Sequence, residues 1–441
     1  MQSAMKICLR FPALLLAFLP SLHASVIGTS KPAEPITDAR IADLPAKDRA
    51  AWSAYLERSQ KQRQTDQATL AAERKSSASA LPVAKEGFAG RSMPLDKPAA
   101  WYASPEAQHI SETILSFQTP AGGWSKNLDM TGPARVPGEG YTSDNLSQHL
   151  SPSDFDTPHD LKWNYVGTLD NDATTTEIRF LALAAHASPE HAQQYQTAIL
   201  KGIRYLLNAQ FPNGGWPQVW PLEGGYHDAI TYNDDAVTQA AELLTAVSSG
   251  KPPYTFVPSE LRQQSGSAAA SALACILRTQ VSINGHRTIW AQQHDALTLA
   301  PTTARNYEPI ALATGESASL LTYLMQIPSP SPEVISAVEA GIFWLKSHAI
   351  YGQQWVGGRD TPEGRHLTPV AGAGPLWARY YSVDTQQPIF GDRDKTIHDN
   401  VTEISAERRN GYAWYSSGPQ KAFDVYASWS KEHISPSRAS K

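Results

Sequence analysis

The stretch KGIRYLLNAQFPNGGWPQVWPLEGGYHDAITYNDDAVTQAAEL, residues 201–243, decides how the rest of the chain is interpreted. Apolar side chains recur at helical spacing around its start, at Ile199, Ile203 and Leu206, which predicts a helix with one buried face. The sequence PNGG at 212–215 cannot continue that helix and must turn. Two adjacent acids then open a second apolar-periodic run. The stretch therefore predicts two helices joined by a loop rich in aromatic and acidic residues.

The glycine turn of this stretch is repeated along the chain. QFPNGGW at 210–216 matches QTPAGGW at 118–124, and weaker versions end at Trp290 and near 355–358. Each copy follows an amphipathic helix, which indicates stacked helical hairpins. We expect the glutamine to bond helix-end backbone, glycine to supply a positive φ, and tryptophan to pack on the neighbouring repeat. The pattern favours an all-α fold, an α/α toroid whose long loops form a substrate groove, over a linear solenoid.

Composition restricts the class of protein. The 441 residues include 12 Trp and 41% hydrophobic residues, which predicts a substantial core, and the net charge of −5 gives no indication of nucleic-acid binding. Lys6 and Arg10 precede a short apolar run from Phe11 to Leu19, so residues 1–24 are interpreted as a signal peptide, with a buried helix as the alternative. A run this short cannot span a bilayer, which needs roughly 20 apolar residues. We therefore expect a secreted or periplasmic protein with no membrane attachment after cleavage.

Two regions follow the signal peptide. Residues 25–95 form an N-terminal helical and linker segment of unknown role, whose charged, alanine-rich helix at 46–76 is expected to pack weakly. Residues 96–435 form the main domain. Its loops at 119–172, 211–232 and 349–396 are long enough to be functional. The predicted helices span about 105–118, 173–187, 191–210, 233–248, 266–281, 308–327 and 332–348.

Acidic clusters precede two of these helices, TLDNDATTTE at 168–177 and NDD at 233–235. Helix capping would explain one acid or hydroxyl in each cluster, but not the additional acids. Asp170 and Asp234, with neighbouring amide oxygens, are hard ligands of the kind calcium prefers. The same acids could instead be the carboxylate pair of an inverting glycoside hydrolase. Both interpretations remain open from these residues alone.

Basic residues interleaved with aromatic residues form a further set of motifs: WSKNLD at 124–129, WARYY at 377–381, GDRD at 391–394 and ERRNGYAWY at 407–415. Guanidinium groups bind carboxylates through two parallel hydrogen bonds, so this composition suits an anionic sugar. Surface salt bridges are the alternative. No nucleophile-elbow, P-loop, zincin or dinucleotide-binding motif is present.

Six motifs in this order resemble the pectate lyases of polysaccharide lyase family 10, over about residues 100–430. They are FQTPAGGWSKNLDM, TLDNDATTTEIRFLA, NAQFPNGGWPQVWPLEGGYHDAITYNDDAV, PLWARYY, PIFGDRD and ERRNGYAWY. The resemblance implies an α/α toroid with a groove at one end. It also implies cleavage of polygalacturonate by β-elimination, in which Ca²⁺ bridges the substrate carboxylate and an arginine removes the C5 proton. A non-catalytic protein that binds acidic polysaccharides is a further alternative.

The resemblance also implies roles for particular residues. Arg393 is expected to be the catalytic base, and an arginine base predicts an alkaline rate optimum because its pKa lies above 12. The metal is expected at Asp170 and Asp234 or the adjacent Asp235. Polygalacturonate is the expected partner of a monomeric enzyme, without nucleic acid. The predicted substrate-binding residues are Lys126, Asn127, Asn171, Arg379, Arg408, Arg409 and Tyr412.

Overall fold

The computed structural model describes residues 25–76, 81–87, 89–143, 153–156 and 166–434, so the predicted signal peptide lies outside the described residues. Helices dominate. They are α1 Asp38–Ala42, α2 Ala46–Lys75, α3 Ala89–Ser92, α4 Pro105–Phe117, α5 Thr175–Ala187, α6 Ala192–Ala209, α7 Ala236–Ser248, α8 Ser259–Thr279, α9 Thr314–Met325, α10 Pro332–Ser347, α11 Ala406–Gly411 and α12 Gln420–His433. None of the helices within these ranges is long and apolar enough to cross a membrane.

Short strands, which the sequence did not predict, brace the loops between the helices. β1 Val26–Thr29, β12 Thr396–His398 and β11 Phe390–Gly391 form a three-stranded antiparallel sheet in that order. The other strands pair two by two, as β2 Ile230–Thr231 with β5 Gln293–His294, β3 Ser282–Ile283 with β4 His286–Arg287, β6 Leu312–Ala313 with β10 Tyr380–Tyr381, β7 Gln353–Val356 with β8 His366–Pro369, and β9 Trp377–Ala378 with β13 Tyr415–Ser416.

The repeated glycine turn connects neighbouring hairpins through its glutamine. Gln118 Nε2 donates to the carbonyl of Gly122 and to that of Ala198 on α6, each at 2.9 Å. Gln210 makes the equivalent pair of bonds, to its own turn and to α8, and Gln280 reaches α10 in the same way. Each glutamine therefore joins one hairpin to the next along the chain.

The tryptophan of the turn bonds back to its own helix. Trp124 Nε1 donates to Ile114 O at 2.7 Å, and Trp216 Nε1 donates to Leu206 O at 2.8 Å. The hydrogen bonds between repeats therefore come from glutamine. The predicted packing of tryptophan on the neighbouring repeat agrees with Trp124, whose ring would lie 3.2 Å from a Cβ on Gly202 of α6. Gly122 has φ +110°, as the turn requires. These ties agree with stacked hairpins, and their closure into a toroid stays a prediction.

Helix α2 packs against the main domain along most of its length. Trp52 and Tyr55 are buried and contact the ring of Phe211, with ring centroids 5.3 and 5.1 Å apart. Tyr55 Oη donates to Ala209 O at 2.9 Å, and Ser59 Oγ accepts from the backbone N–H of Leu222 at 2.8 Å. The expectation of a weakly packed arm is wrong, because the few large apolar side chains of this helix lie on one face.

Asp66 of α2 predicts a measurable pH dependence of stability. This side chain is fully buried, and burial raises its pKa to about 6. A carboxyl whose pKa is raised on folding stabilises the fold below its unfolded pKa, and that contribution is lost as the pH rises through about 6. A shift of this size corresponds to about 3 kcal/mol.

We expect Asp66→Asn to reduce the loss of unfolding free energy between pH 4 and pH 7, measured by denaturant titration at both values. Glu57→Gln, at an exposed acid of the same helix, is the control and should keep the wild-type pH dependence. An Asp66→Asn variant with unchanged pH dependence would contradict this role.

Candidate active site

One polar cavity, of about 280 Å³, brings the acidic and basic motifs together. Its lining residues are Lys126, Asp170, Asn171, Gln218, Tyr226, Asn233, Asp234, Gln292, Gln293, Arg305, Glu308, Arg379 and Tyr412. They come from loops that lie far apart in the sequence and that each precede or follow an element of the helical scaffold. Of the predicted site residues, Lys126, Asn171, Arg379, Tyr412, Asp170 and Asp234 line the cavity.

The two acidic clusters form similar turns at the starts of α5 and α7. Each is a short 3-10 turn, at Asp170–Asp172 and at Asn233–Asp235, and the two turns contact each other. Asn171 and Asp234 have φ values of 50° and 51°, which non-glycine residues adopt at a cost. No side-chain capping bond is made at the start of α5 or α7. The capping interpretation therefore does not explain these acids.

Asp170 and Asp234 face each other across the meeting point of the two turns. Their carboxyl groups are hydrogen bonded, and Lys126 Nζ donates to Asp170. Burial alone would raise the pKa of Asp170, but the charge of Lys126 and the hydrogen bonds from Asp234 and Lys126 outweigh it and lower that pKa. Asp234 keeps contact with solvent, yet the surrounding protein and the neighbouring Asp170 raise its pKa. The pair therefore favours sharing one proton over carrying two charges.

The adjacent acids lie on another side of the turns. Asp235 does not line the cavity, and its charge is among the causes that raise the pKa of Asp172, after burial. Of Asp234 and Asp235, the structure therefore places Asp234 in the cavity. Asn127 is also outside the lining, but its Oδ1 accepts from Asn171 Nδ2 at 2.9 Å and so orients that amide.

Arg305, which the sequence analysis missed, contributes the second charged pair of the cavity. Its Nε and Nη2 donate to Glu308 Oε2 and Oε1 at 2.9 and 2.6 Å, a two-point ion pair. Tyr412 Oη donates to the same carboxylate at 2.6 Å. Burial alone would lower the pKa of Arg305, but Glu308 outweighs it and raises that pKa well above its ordinary value. Burial would raise the pKa of Glu308, but Arg305 and Tyr412 bring it down to about 2.

Arg379 is held in the cavity by a separate acid. Its Nη2 lies 2.7 Å from Glu316 Oε1, and its guanidinium carbon lies 4.7 Å from the ring centroid of Tyr412. Burial would lower the pKa of Arg379, but Glu316 and the two nearby tyrosines raise it. Arg379 is therefore a fixed cation beside the acidic turns.

Arg393 and Arg408 lie next to the cavity lining, around Tyr307. The guanidinium carbons of Arg305, Arg393 and Arg408 are 5.0, 5.3 and 4.4 Å from its ring centroid. Arg393 and Arg408 both pair with Glu407, at 2.9 and 2.5 Å. Arg305 therefore lines the cavity, and Arg393 and Arg408 lie outside its lining on the same tyrosine ring.

Arg409 is directed away from this cluster. Its side chain donates to the backbone carbonyls of Thr402 and Glu363 at 3.1 and 3.2 Å. The ambiguity between Arg408 and Arg409 is therefore decided in favour of Arg408 as the residue nearer the cavity.

A signal for Arg305 is present in the sequence. ARNYE at 304–308 combines arginine, an aromatic residue and an acid, as ERRNGYAWY does. It overlaps the start of the predicted helix at 308–327, which begins only at Thr314 in the structure.

Residues 118–423 match the pectic acid lyase family, which is more than half of the chain. A family 10 polysaccharide lyase from Cellvibrio cellulosa is similar in structure, with TM-score 0.63 and 28% identity over 77% of this chain and 97% of that one. An aspartate-to-alanine variant of a family 10 lyase from the same organism, in complex with trigalacturonic acid, gives TM-score 0.62 and 27% identity over 78% and 99%.

No curated protein sequence shows significant similarity to the chain. The family match and the two lyase structures agree with each other and with the six ordered motifs, so the chain belongs to the pectic acid lyase family and is a pectate lyase of polysaccharide lyase family 10.

Proposed function

We propose that this pectate lyase cleaves α-1,4-polygalacturonate by calcium-assisted β-elimination in the cavity between the two acidic turns, with Arg305 as the base. One observation carries the proposal: Asp170, Asp234 and Arg305 line the same small polar cavity, although 135 residues separate the first from the last in the chain. The bound trigalacturonic acid of the similar lyase variant supports the substrate class. The product would be a 4,5-unsaturated oligogalacturonide.

The residues of the cavity fit a calcium ion. Calcium prefers carboxylate and amide oxygens, which Asp170, Asp234 and Asn171 provide. Two carboxyl groups in hydrogen-bond contact repel each other when both are ionised, and a divalent cation between them would remove that repulsion. Within the described residues no group of three or more acids, histidines or cysteines could hold a metal ion. Amides, water and a substrate carboxylate would therefore complete the ligand set.

When bound, calcium would stabilise negative charge on the substrate carboxylate. The C5 proton is α to that carboxylate, so its removal builds charge on the same group. Lys126 and Arg379 are cations of the same cavity and would stabilise this charge and orient the sugar. Arg393 and Arg408, outside the lining, would bind the carboxylate of a neighbouring sugar unit.

Arg305 is the better-placed base because it lines the cavity, whereas Arg393 does not. The ion pair with Glu308 orients the guanidinium of Arg305 through Nε and Nη2 and does not involve Nη1. The sequence-based assignment of Arg393 as the base remains the alternative. Both assignments need a neutral guanidinium, so both predict an alkaline rate optimum.

The hydrogen bond between Asp170 and Asp234 does not favour the inverting hydrolase. An inverting pair of carboxyl groups is about 6.5–9.5 Å apart, because a water molecule and the sugar lie between them. Hydrogen-bonded carboxyl groups leave no such space. A non-catalytic binding protein would not need the contacting pair of acids beside a fixed arginine.

Polygalacturonate with added calcium is expected to give a product that absorbs near 235 nm, as a double bond conjugated to the carboxylate requires. A chelator should abolish the increase in absorbance, and an excess of calcium should restore it. New reducing ends without absorbance would indicate hydrolysis instead. Turnover that persists in chelator would contradict the role of calcium.

A further inference from the structure

We propose that the described residues of the N-terminal segment, 25–76 and 81–87, form a strap that positions the two cationic walls of the cavity, at Lys126 and at Arg305. The inference rests on the binding and catalytic roles proposed for those two residues. The family match begins only at residue 118, and the alignments with the two lyase structures leave about a fifth of this chain without a counterpart. The segment therefore lies outside the residues that the family match covers.

The start of the strap contacts the loops that carry the arginines. β1 pairs with β12 and so extends the sheet whose β11–β12 turn contains Arg393. Ser30 N donates to Lys395 O at 2.8 Å in that turn. Thr303 Oγ1 donates to Lys31 O at 2.6 Å, two residues before Arg305. Residues 26–31 therefore hold the Arg305 loop and the Arg393 turn against each other.

The end of the strap contacts the loop that carries the lysine. Gly87 N donates to Asn127 O at 2.9 Å, and Asp129 N donates to Lys85 O at 3.1 Å. Glu86 and Leu128 form an antiparallel bridge between these bonds. The strap thus adds a short antiparallel strand to the backbone immediately after Lys126, whose side chain contacts Asp170.

The middle of the strap is fixed to the main domain, so its two ends cannot move freely. Besides the contacts of Trp52, Tyr55 and Ser59, Arg63 Nη1 donates to Leu222 O at 3.0 Å. Near the end of α2, Glu73 pairs with Arg135 and accepts from Gly138 N at 2.8 Å. A rigid support of this kind reduces the number of positions that a loop residue can take.

Ser25, at the other end, has its backbone nitrogen 3.1 Å from Glu403 Oε2. If the chain is cleaved after Ala24, as the sequence predicts, that nitrogen is an ammonium and the hydrogen bond becomes an ion pair. Processing would then strengthen the attachment of β1 beside the Arg393 turn.

Two glycines of the strap provide a matched test. A Cβ on Gly87 would lie 2.7 Å from Asp129 Cα, so Gly87→Ala must push the strap away from the Lys126 loop. A Cβ on Gly28 would lie 3.5 Å from Ile397 Cδ1, an ordinary contact, so Gly28→Ala is the control. We expect Gly87→Ala to raise the KM for polygalacturonate about 10-fold or more and to lower kcat as well, because Lys126 both orients the sugar and stabilises the developing charge. Gly28→Ala should behave as the wild type.

A second variant tests the other wall. Thr303→Val keeps the shape of the side chain and removes the hydrogen bond to Lys31. Because the Arg305 loop carries the proposed base, we expect kcat to fall about 10-fold with KM largely kept. A general loss of stability would lower the apparent kcat in proportion to the unfolded fraction and leave KM unchanged, so kcat is divided by the folded fraction measured by circular dichroism. A fall in kcat that disappears after this normalisation would overturn the proposal.

Hydrogen exchange measured on the full-length protein distinguishes a failure of the strap proposal from a failure of the proposed function. The amide of Asp129 should exchange faster in Gly87→Ala than in Gly28→Ala, whether or not the protein turns over substrate. Faster exchange with unchanged KM would overturn the strap as a positioning element. A wild type without lyase activity would instead contradict the proposed function.

Discussion

Arg305→Lys is expected to reduce turnover of polygalacturonate about 10³-fold, within the range that a general base contributes. Lysine keeps the positive charge but cannot form the two-point pair with Glu308, because its ammonium is a single point of charge on a flexible stem. The ammonium would bind Glu308 and leave no nitrogen fixed in the cavity to accept the proton. Binding of trigalacturonate should change much less than turnover, since Lys126 and Arg379 remain.

Arg393→Lys is the matched control for this prediction. Both arginines contact the ring of Tyr307 and both pair with a glutamate, but Arg393 does not line the cavity. We expect Arg393→Lys to raise KM several-fold and to keep most of kcat. The reverse result, with turnover lost only in Arg393→Lys, would return the base role to Arg393.

The pH–rate profile provides a second measurement on the same variants. Glu308 raises the pKa of Arg305, so the neutral form is a small fraction near pH 7 and increases about tenfold for each pH unit below that pKa. The wild-type rate should therefore rise steeply into the alkaline range. Arg305→Lys should lose this dependence, and Arg393→Lys should keep it.

The sequence predicted most of the helical scaffold because the apolar periodicity of these segments is strong. The predicted helices at 105–118 and 332–348 differ from α4 and α10 by one residue at one end, and the one at 191–210 differs from α6 by one residue at each end. Helix α8 begins at Ser259, before the expected 266, because its first turns carry few large apolar residues. Helix α12 was not predicted although Ala422, Val425, Tyr426 and Trp429 recur at helical spacing, so its apolar period was overlooked.

The site was predicted only in part because loops from distant segments meet there. Asp170 and Asp234 were identified since capping could not explain two acids at one helix start. Arg305 and Glu308 were missed because their pairing depends on three-dimensional contacts, and nothing in the local pattern ARNYE distinguishes a cavity pair from a surface pair. The strap was missed for the same reason, since its hydrogen bonds to the Lys126 loop involve only backbone atoms.

Asp170→Asn is expected to reduce turnover about 10²–10³-fold, as the loss of one group that stabilises transition-state charge does. Asp170 is buried, and its carboxylate is the partner of both Lys126 and Asp234. An amide at this position provides a weaker calcium ligand and no charge opposite Lys126. The calcium concentration that gives half-maximal activity should therefore increase together with the loss of rate, which a calcium titration of the lyase reaction measures.

Asp235→Asn is the control, because it removes the same charge one residue from Asp234 but outside the cavity lining. The charge of Asp235 repels the carboxylate of Asp172, so its removal relieves that repulsion. It does not remove a proposed calcium ligand. We expect less than about a threefold change in rate and an unchanged calcium dependence, as for a surface substitution away from the site. Equal losses in the two variants would contradict the role of the Asp170 carboxylate. They would mean that the acids of both turns act only through the left-handed backbone conformation of the turns.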